Sequence, residues 1–447
     1  VRTRGSALKC MSQAAKERYD HRFSADKWAM DLRRLYERTV RQSRRIALVE
    51  FPPSGGLYQF ALQLGEGLAR TGRTVDLITG PEPELPSRES GCRVRSILPT
   101  WHPTAGAQAS PVWRRLRRGI RAVQHTAAWA VLITHLLISR PDVVIWSALR
   151  FAIDGWGVHI VRRMLPNSVL AIVAHEPRPL VEQPGQNCIY RASRITDRAI
   201  KMAYADLDVV FVLGESSRRV LKRTWPIAAP VHVIPHGDED IFLSKAINGA
   251  ESTGPVALAF GTITAYKGID TLFEAWPKVQ AEVPHAKLLI AGALSADMDE
   301  SALRAQVSCL EGVELRTGYI PIQDVASIFA QARCVVLPYK RSSQSGVAHL
   351  AHTMGRPVVA TRVGDIPAVV QDEISGLLVR PQCPDELATA LVRLLTDPAT
   401  AGVMGVAGRQ SLVKSASWDE VATRLDQALP SKGPRSVAVN HGSDSTR

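Results

Sequence analysis

Ser345-Gly346-Val347 stands where a loop enters a run of helical spacing that ends at Gly355. A helix that begins there leaves its first backbone N–H groups without intrahelical partners and puts the positive end of its dipole at the same point. Those are the requirements of a phosphate cradle. An apolar β-branched run, Pro357-Val358-Val359-Ala360-Thr361, and a glycine turn, Val363-Gly364-Asp365-Ile366-Pro367, follow it. A second loop, Gly261-Thr262-Ile263-Thr264-Ala265-Tyr266-Lys267-Gly268, holds a lysine just before another helical run. A cation at a helix N-terminus opposes the dipole unless an anion lies between them, so Lys267 reads as a phosphate ligand. A third loop, Pro52-Pro53-Ser54-Gly55-Gly56-Leu57, sets two glycines between strand and helix. Gly55 and Gly56 would let a ligand reach the backbone, but the G-x-G-x-x-G spacing of dinucleotide folds is absent and an ordinary tight turn has the same composition.

Histidines, carboxylates and arginines add candidates. His175 ends an apolar strand, where it would hold a substrate hydroxyl; anchoring a loop is the alternative. His349 and His352 share a helix face at i, i+3, but two histidines do not close a metal site, and none is expected. Asp206-x-Asp208, Asp238-x-Asp240 and Asp297-x-Asp299 each spell a pattern that holds a divalent ion against a diphosphate. Three copies in an ordinary composition read as chance. Trp113, Arg114, Arg115, Arg117 and Arg118 interleave with Leu116 and Ile120 at helical spacing. Such a basic amphipathic helix suits an anionic membrane surface, and a solvated helix face has the same pattern. Nucleic acid is not an expected partner, because no nucleic-acid fold motif or aromatic platform accompanies the charge.

The elements that must position these groups alternate regularly from residue 44. Apolar runs at 46–51, 74–79, 142–146, 168–174, 208–213 and 231–235 read as strands separated by helical stretches such as 57–70. A second series follows at 256–260, 287–291, 313–316, 334–337 and 357–361. Strands alternating with helices imply βαβ units and parallel sheets. The expected class is therefore α/β, with two tandem Rossmann-like domains, 44–235 and 236–416, facing across a cleft. Pro235-His236-Gly237 reads as the linker. A basic extension covers 1–43, a terminal helix at 417–430 is expected to pack back on the first domain, and 431–447 has a disordered composition. Ligands of parallel-sheet domains bind outside the carboxyl ends of the strands, so the three loops should meet there.

The bulk composition agrees with a globular chain. It has 447 residues, 45% hydrophobic and 22% charged, enough for sizeable cores in two or three domains. A net charge of +13 favours anionic partners such as lipid or phosphorylated substrates. Six cysteines without a C-x-x-C pair fit a reducing compartment. No signal-peptide pattern opens the chain, and the most apolar stretch, 127–146, is broken by Thr134, His135, Arg140 and Asp142. A cytoplasmic protein, peripheral at the inner face of the cell membrane, is the expectation.

The motifs together resemble retaining glycosyltransferases of the GT-B fold, glycosyltransferase family 4 in type. The likeness rests on Tyr266-Lys267-Gly268, Leu337-Pro338-Tyr339, Gln344-Ser345-Gly346-Val347, Gly355-x-Pro357-Val358-Val359-Ala360-Thr361, Val363-Gly364 and Ser375-Gly376-Leu377-Leu378-Val379. The first half adds Gly55-Gly56, His175 and Val233-Ile234-Pro235-His236-Gly237. The resemblance implies that Lys267, with Thr262 in the same loop, binds the donor diphosphate. It implies that the N–H groups of Ser345, Gly346 and Val347 cradle the distal phosphate, that Gly55 and Gly56 close over the donor, and that His175 lies near the transferred sugar. It implies no metal and no cofactor beyond the sugar nucleotide.

Three departures stand out. Thr262 and Thr264 occupy the places where the family often has an arginine. Ser342 and Leu350 replace two glutamates eight positions apart. Asp365 and Ala368 replace the later Gly and Glu. The expected function is transfer of a hexose-type sugar from a nucleoside-diphosphate sugar to a glycan or lipid-linked acceptor, in envelope or exopolysaccharide synthesis. The lost carboxylates leave open a non-catalytic nucleotide-sugar-binding protein. A sugar-nucleotide epimerase of the same fold would need acid–base carboxylates, for which Glu176 is the one ready candidate.

Overall fold

The computed structural model describes residue 28 and residues 44–100, 111–175, 193–243, 249–295, 297–342 and 344–430, without the side chains of 111–118. The rest of the basic extension, the C-terminal tail and Glu176 lie outside the described residues.

The first unit runs β1 (Arg45–Val49), α1 (Gly56–Arg70), β2 (Thr74–Thr79), β3 (Cys92–Ser96), α2 (Pro111–Ser139), β4 (Val143–Trp146), α3 (Ala152–Met164), β5 (Val169–Ala174), α4 (Arg194–Asp206), β6 (Val209–Val212), α5 (Glu215–Thr224) and β7 (Val231–Val233). The second runs β8 (Val256–Phe260), α6 (Ile269–Glu282), β9 (Lys287–Gly292), α7 (Glu300–Ser308), β10 (Val313–Thr317), α8 (Ile322–Gln331), β11 (Cys334–Leu337), α9 (Gly346–Thr353), β12 (Val358–Thr361), α10 (Ile366–Val369) and β13 (Gly376–Val379). Helices α11 (Pro384–Thr396), α12 (Pro398–Ala416) and α13 (Trp418–Ala428) complete it.

The strands form two sheets, ordered β3-β2-β1-β4-β5-β6-β7 and β10-β9-β8-β11-β12-β13. Every pairing between named strands is parallel. A parallel sheet covered on both faces needs strands that are apolar throughout, and β4, β5, β6, β11 and β12 are buried at every position. Apolar layers flank each sheet on both sides. In each sheet the strand order reverses once, between β1 and β4 and between β8 and β11. The loops after these strands diverge and open a crevice, and those loops carry Gly55, Gly261–Lys267 and Ser345.

Two strands escape the sequence reading. β3, Cys-Arg-Val-Arg-Ser, is a sheet edge with three exposed side chains, so its pattern lacks an apolar run. β13 is four residues that open on Gly376, a residue that reads as a turn; a Cβ there would lie 2.1 Å from Val358 O, so close strand pairing excludes one.

The chain crosses between the units twice. The first crossing, 234–239, lies against the second, where Asp238 N–H donates to Ala416 O at 3.0 Å. α13 then packs on α1: Trp418, Val421, Ala422, Leu425 and Leu429 join the core of the first unit. Gly67 permits the approach, since a Cβ there would sit 2.6 Å from Trp418 O. A buried ion pair between Arg73 and Asp426 fixes the far end.

Candidate active site: the cleft between the two sheets

The cradle is built as its sequence requires. Ser345 is the N-cap of α9, extended at φ −134°, and its Oγ accepts Ala348 N–H at 3.3 Å. Gly346 and Val347 form the first turn and line a cleft of about 480 Å³. Residues of both units share that cleft: Gly55, Gly56, Gln59 and His175 from the first, and Gly261, Thr262, Lys267, Tyr319, Val347 and Leu350 among those from the second.

Lys267 ends a single turn of 3-10 helix, Ala265–Lys267, and Gly268 turns the chain into α6 at φ +70°. A side chain at Gly268 would be strained by that φ and would also meet Pro338 O at 1.9 Å. The loop is held from outside by Asp297, whose Oδ2 accepts Ala265 N–H at 2.9 Å. Lys267 Nζ lies 3.2 Å, and Val347 Cγ2 3.4 Å, from the place a Gly261 Cβ would occupy. The ammonium therefore stands beside the first turn of α9, with its other flank 5.7 Å from the Tyr339 ring centroid. Cation and helix N-terminus converge on one small space, which a dianionic group would stabilise.

The first unit supplies the opposite wall. Gly55 turns at φ +86° and its N–H donates to Glu84 Oε2 at 3.0 Å; Gln59 Nε2 donates to the same oxygen at 3.1 Å. The Tyr319 hydroxyl, from the second unit, donates to the other Glu84 oxygen and joins the two lips of the cleft. His175 packs edge-on against Phe60 with ring centroids 4.4 Å apart. Burial, with Arg150 nearby, pushes its pKa down to about 3, so its ring is neutral at physiological pH. Its Nε2 is buried without a hydrogen-bond partner among the described residues.

The crossing segment forms the floor, which the sequence reading treats only as a linker. His236 and Glu239 line the cleft with Phe242. Glu239 Oε2 accepts Gln63 Nε2–H at 3.2 Å, and Gln63 Oε1 accepts Trp418 Nε1–H at 3.1 Å. Burial raises the Glu239 carboxyl to about 8. The His236 ring is held well below its ordinary value by burial and by neighbouring His349 and His175. An i, i+3 His-x-x-Glu spacing at the domain crossing was the available signal for this pair.

The other candidates separate. His349 Nδ1 lies 3.1 Å from Ser345 O, and His352 Nε2 lies 3.3 Å from Ser375 O, so both are buried structural rings. Among the described residues no group of three or more His, Cys, Asp or Glu converges as metal ligands. Asp208 pairs with Arg162, Asp206 with His159, and Asp299 caps α7. At the departures from the family pattern, the Ser342 hydroxyl donates to Gln344 O at 2.8 Å and Leu350 puts an apolar side chain on the cleft wall. Trp113, Arg114, Arg115, Arg117 and Arg118 lie in the first turns of α2, but their side chains are outside the described set. Gly119–Ser139 of the same helix is long and apolar enough to cross a membrane, but its Trp129, Leu132 and Leu136 belong to the first unit's core.

Two parallel sheets whose switch-point loops meet over one cleft make the GT-B architecture of glycosyltransferases. Residues 254–397 match the family described as glycosyl transferases group 1, and residues 54–238 match Glycosyltransferase Family 4. The chain belongs to this glycosyltransferase family. It is similar to alpha-maltose-1-phosphate synthase of Mycobacterium tuberculosis, with 31% identity over 279 residues, 56% of this chain and 70% of that protein. A GDP-mannose-dependent phosphatidylinositol monomannoside mannosyltransferase of Mycolicibacterium smegmatis is 29% identical over 333 residues, 70% of this chain and 85% of that protein. Among solved structures, sucrose-phosphate synthase from Thermosynechococcus elongatus superposes with a TM-score of 0.64 at 22% identity, over 86% of this chain and 98% of that one.

Proposed function

We propose that this protein is a retaining, metal-independent hexosyltransferase that takes its sugar from a nucleoside-diphosphate sugar. The observation that carries the reading is the meeting of Lys267 Nζ and the first turn of α9 at Gly261, inside a cleft that both units line. When the C1–O bond to the diphosphate breaks, negative charge grows on the distal phosphate. Lys267 and the α9 amides are preorganised for that charge. The acceptor oxygen attacks from the same face, and its proton passes to the departing phosphate oxygen, so no carboxylate nucleophile is required. His175, neutral and with Nε2 unpartnered among the described residues, is suited to a sugar hydroxyl. The Glu84–Tyr319 contact across the cleft mouth is suited to excluding water from the bound donor.

The acceptor in this reading is a glycan or a lipid-linked saccharide of envelope or exopolysaccharide synthesis, met at the cytoplasmic membrane face. Supporting it, Ile120, Val123, Val131 and Ile138 are exposed along α2, the helix that begins with the arginine cluster. The mannosyltransferase relative is named for a phosphatidylinositol acceptor. The test is turnover of UDP-, GDP- and ADP-hexoses against lipid and glycan acceptors, with the product anomer read by NMR. Retention of the donor's anomeric configuration supports the reading; an inverted product overturns it.

A further inference from the structure

The crossing segment places a carboxyl–imidazole pair against the phosphate cradle. His236 Nδ1 lies 3.6 Å from Glu239 Oε1, too far for a hydrogen bond, and is buried without a hydrogen-bond partner among the described residues. The other ring nitrogen, Nε2, lies 3.4 Å from the position a Gly346 Cβ would take, and Glu239 Oε1 lies 4.0 Å from it. Both side chains are 11% exposed and both line the cleft. His236 is wedged between Phe60 and His349, with ring centroids at 5.3 and 4.9 Å, so its plane is fixed.

Proton positions follow from the neighbours. Trp418 Nε1 is only a donor, shared between Asp238 O at 2.7 Å and Gln63 at 3.1 Å, so Gln63 turns its carbonyl oxygen toward Trp418 and its NH₂ toward Glu239. Glu239 Oε2 is thereby an acceptor. A proton on this carboxyl belongs on Oε1, the oxygen nearer His236. A hydrogen on Nε2 of the neutral ring points toward the cradle.

We infer that His236 Nε2–H donates to the donor's distal phosphate, with Glu239 beside the ring as an uncharged carboxyl that keeps negative charge out of the cradle. This rests on the donor-site reading above. A carboxyl that keeps its proton also adds no negative charge beside the diphosphate. The groups that face Glu239 are Gln63 of α1, Thr353 of α9 through the Glu239 N–H, and His236, Asp238 and Asp240 on its own segment. Asp240 is paired with Arg88. Loss of the Glu239 proton on the alkaline side, through about 8, should set that anion against the diphosphate.

The test is calorimetric titration of UDP, GDP and ADP into the full chain at pH 7 and pH 9. For the nucleotide that binds most tightly, wild-type affinity is expected to fall about tenfold between the two pH values. Glu239→Gln, which cannot ionise, should bind at pH 7 within about threefold of wild type and remove most of the alkaline loss. His236→Ala should weaken binding at pH 7 by about tenfold or more. His236→Gln is measured beside it, as a folded variant that keeps an N–H. An unchanged alkaline loss in Glu239→Gln, or wild-type affinity in both His236 variants, overturns the inference. Lys267→Ala separates the levels: if it too binds like wild type, the donor-site reading itself fails.

Discussion

Asp365 of the second unit accepts the backbone N–H of Ser217 at 3.2 Å and its hydroxyl at 3.3 Å, and so caps helix α5 of the first unit. Ser216 N–H adds a third bond at 2.8 Å. The unpaired amides and the dipole of α5 are satisfied by a carboxylate from the other domain. Gly214 makes room, since a Cβ there would lie 2.2 Å from Asp365 Oδ2.

Removal of that cap should loosen the closed arrangement. Asp365→Ala is expected to lower kcat/KM by about 3- to 30-fold, the value of one N-cap, mostly through KM. The radius of gyration from small-angle scattering should rise, and Gly214→Val should reproduce both effects. Unchanged kinetics and dimensions in both variants would remove the cap from the account.

The lysine loop depends on a backbone contact. Gly268→Ala must move either the turn or Pro338, whose carbonyl oxygen lies 1.9 Å from the new Cβ. A loss of roughly 1–3 kcal/mol of stability is expected from the strained φ and the clash. Nucleotide affinity should fall with it because Lys267 is the preceding residue. Denaturant unfolding and titration measure the two, and a variant with wild-type values in both would contradict the placement of the loop.

Acid should destabilise the second unit through its buried imidazoles. Burial holds His349 and His352 down to about 4, below the ordinary 6.5. Between those values the unfolded chain takes up protons that the folded chain does not, so their contribution is full above pH 6.5 and is lost as pH falls toward 4. Glu50 and Glu239, raised to about 7 and about 8, act in the opposite sense over that range. The informative quantity is therefore a difference: His352→Gln should lose less in Tm than wild type between pH 6.5 and 4.5. Parallel Tm curves would show that His352 is not held neutral.

Membrane contact is tested with liposomes. The full chain should co-sediment with vesicles containing anionic lipid and not with neutral ones, and Arg114, Arg115, Arg117 and Arg118 changed together to Gln should abolish it. Indifference to lipid charge would sink the membrane part of the proposal.

Much of this architecture is written in the strands. Val-Val-Phe-Val and Val-Leu-Ala-Ile-Val-Ala are apolar at every position, which only a doubly covered parallel sheet requires, and the phosphate loops sit directly after such strands. The edge strand β3 was hidden because one face of it meets water. The His236–Glu239 pair was legible only as a His-x-x-Glu spacing: its partners Gln63, Trp418 and Gly346 come from three distant stretches, and only the double crossing brings them together. Gly55 was legible as a turn, but not that Glu84 already engages its N–H.

Lys267 carries the central claim. Nucleoside diphosphate released from UDP-, GDP- and ADP-hexoses with acceptor present should be measured for wild type and for Lys267→Ala. Loss of one charge-assisted contact to a developing dianion should cut turnover by about 100-fold or more while Tm stays within a few degrees of wild type. Turnover undiminished in a folded Lys267→Ala protein would contradict the assignment of this cleft as a diphosphate-sugar site.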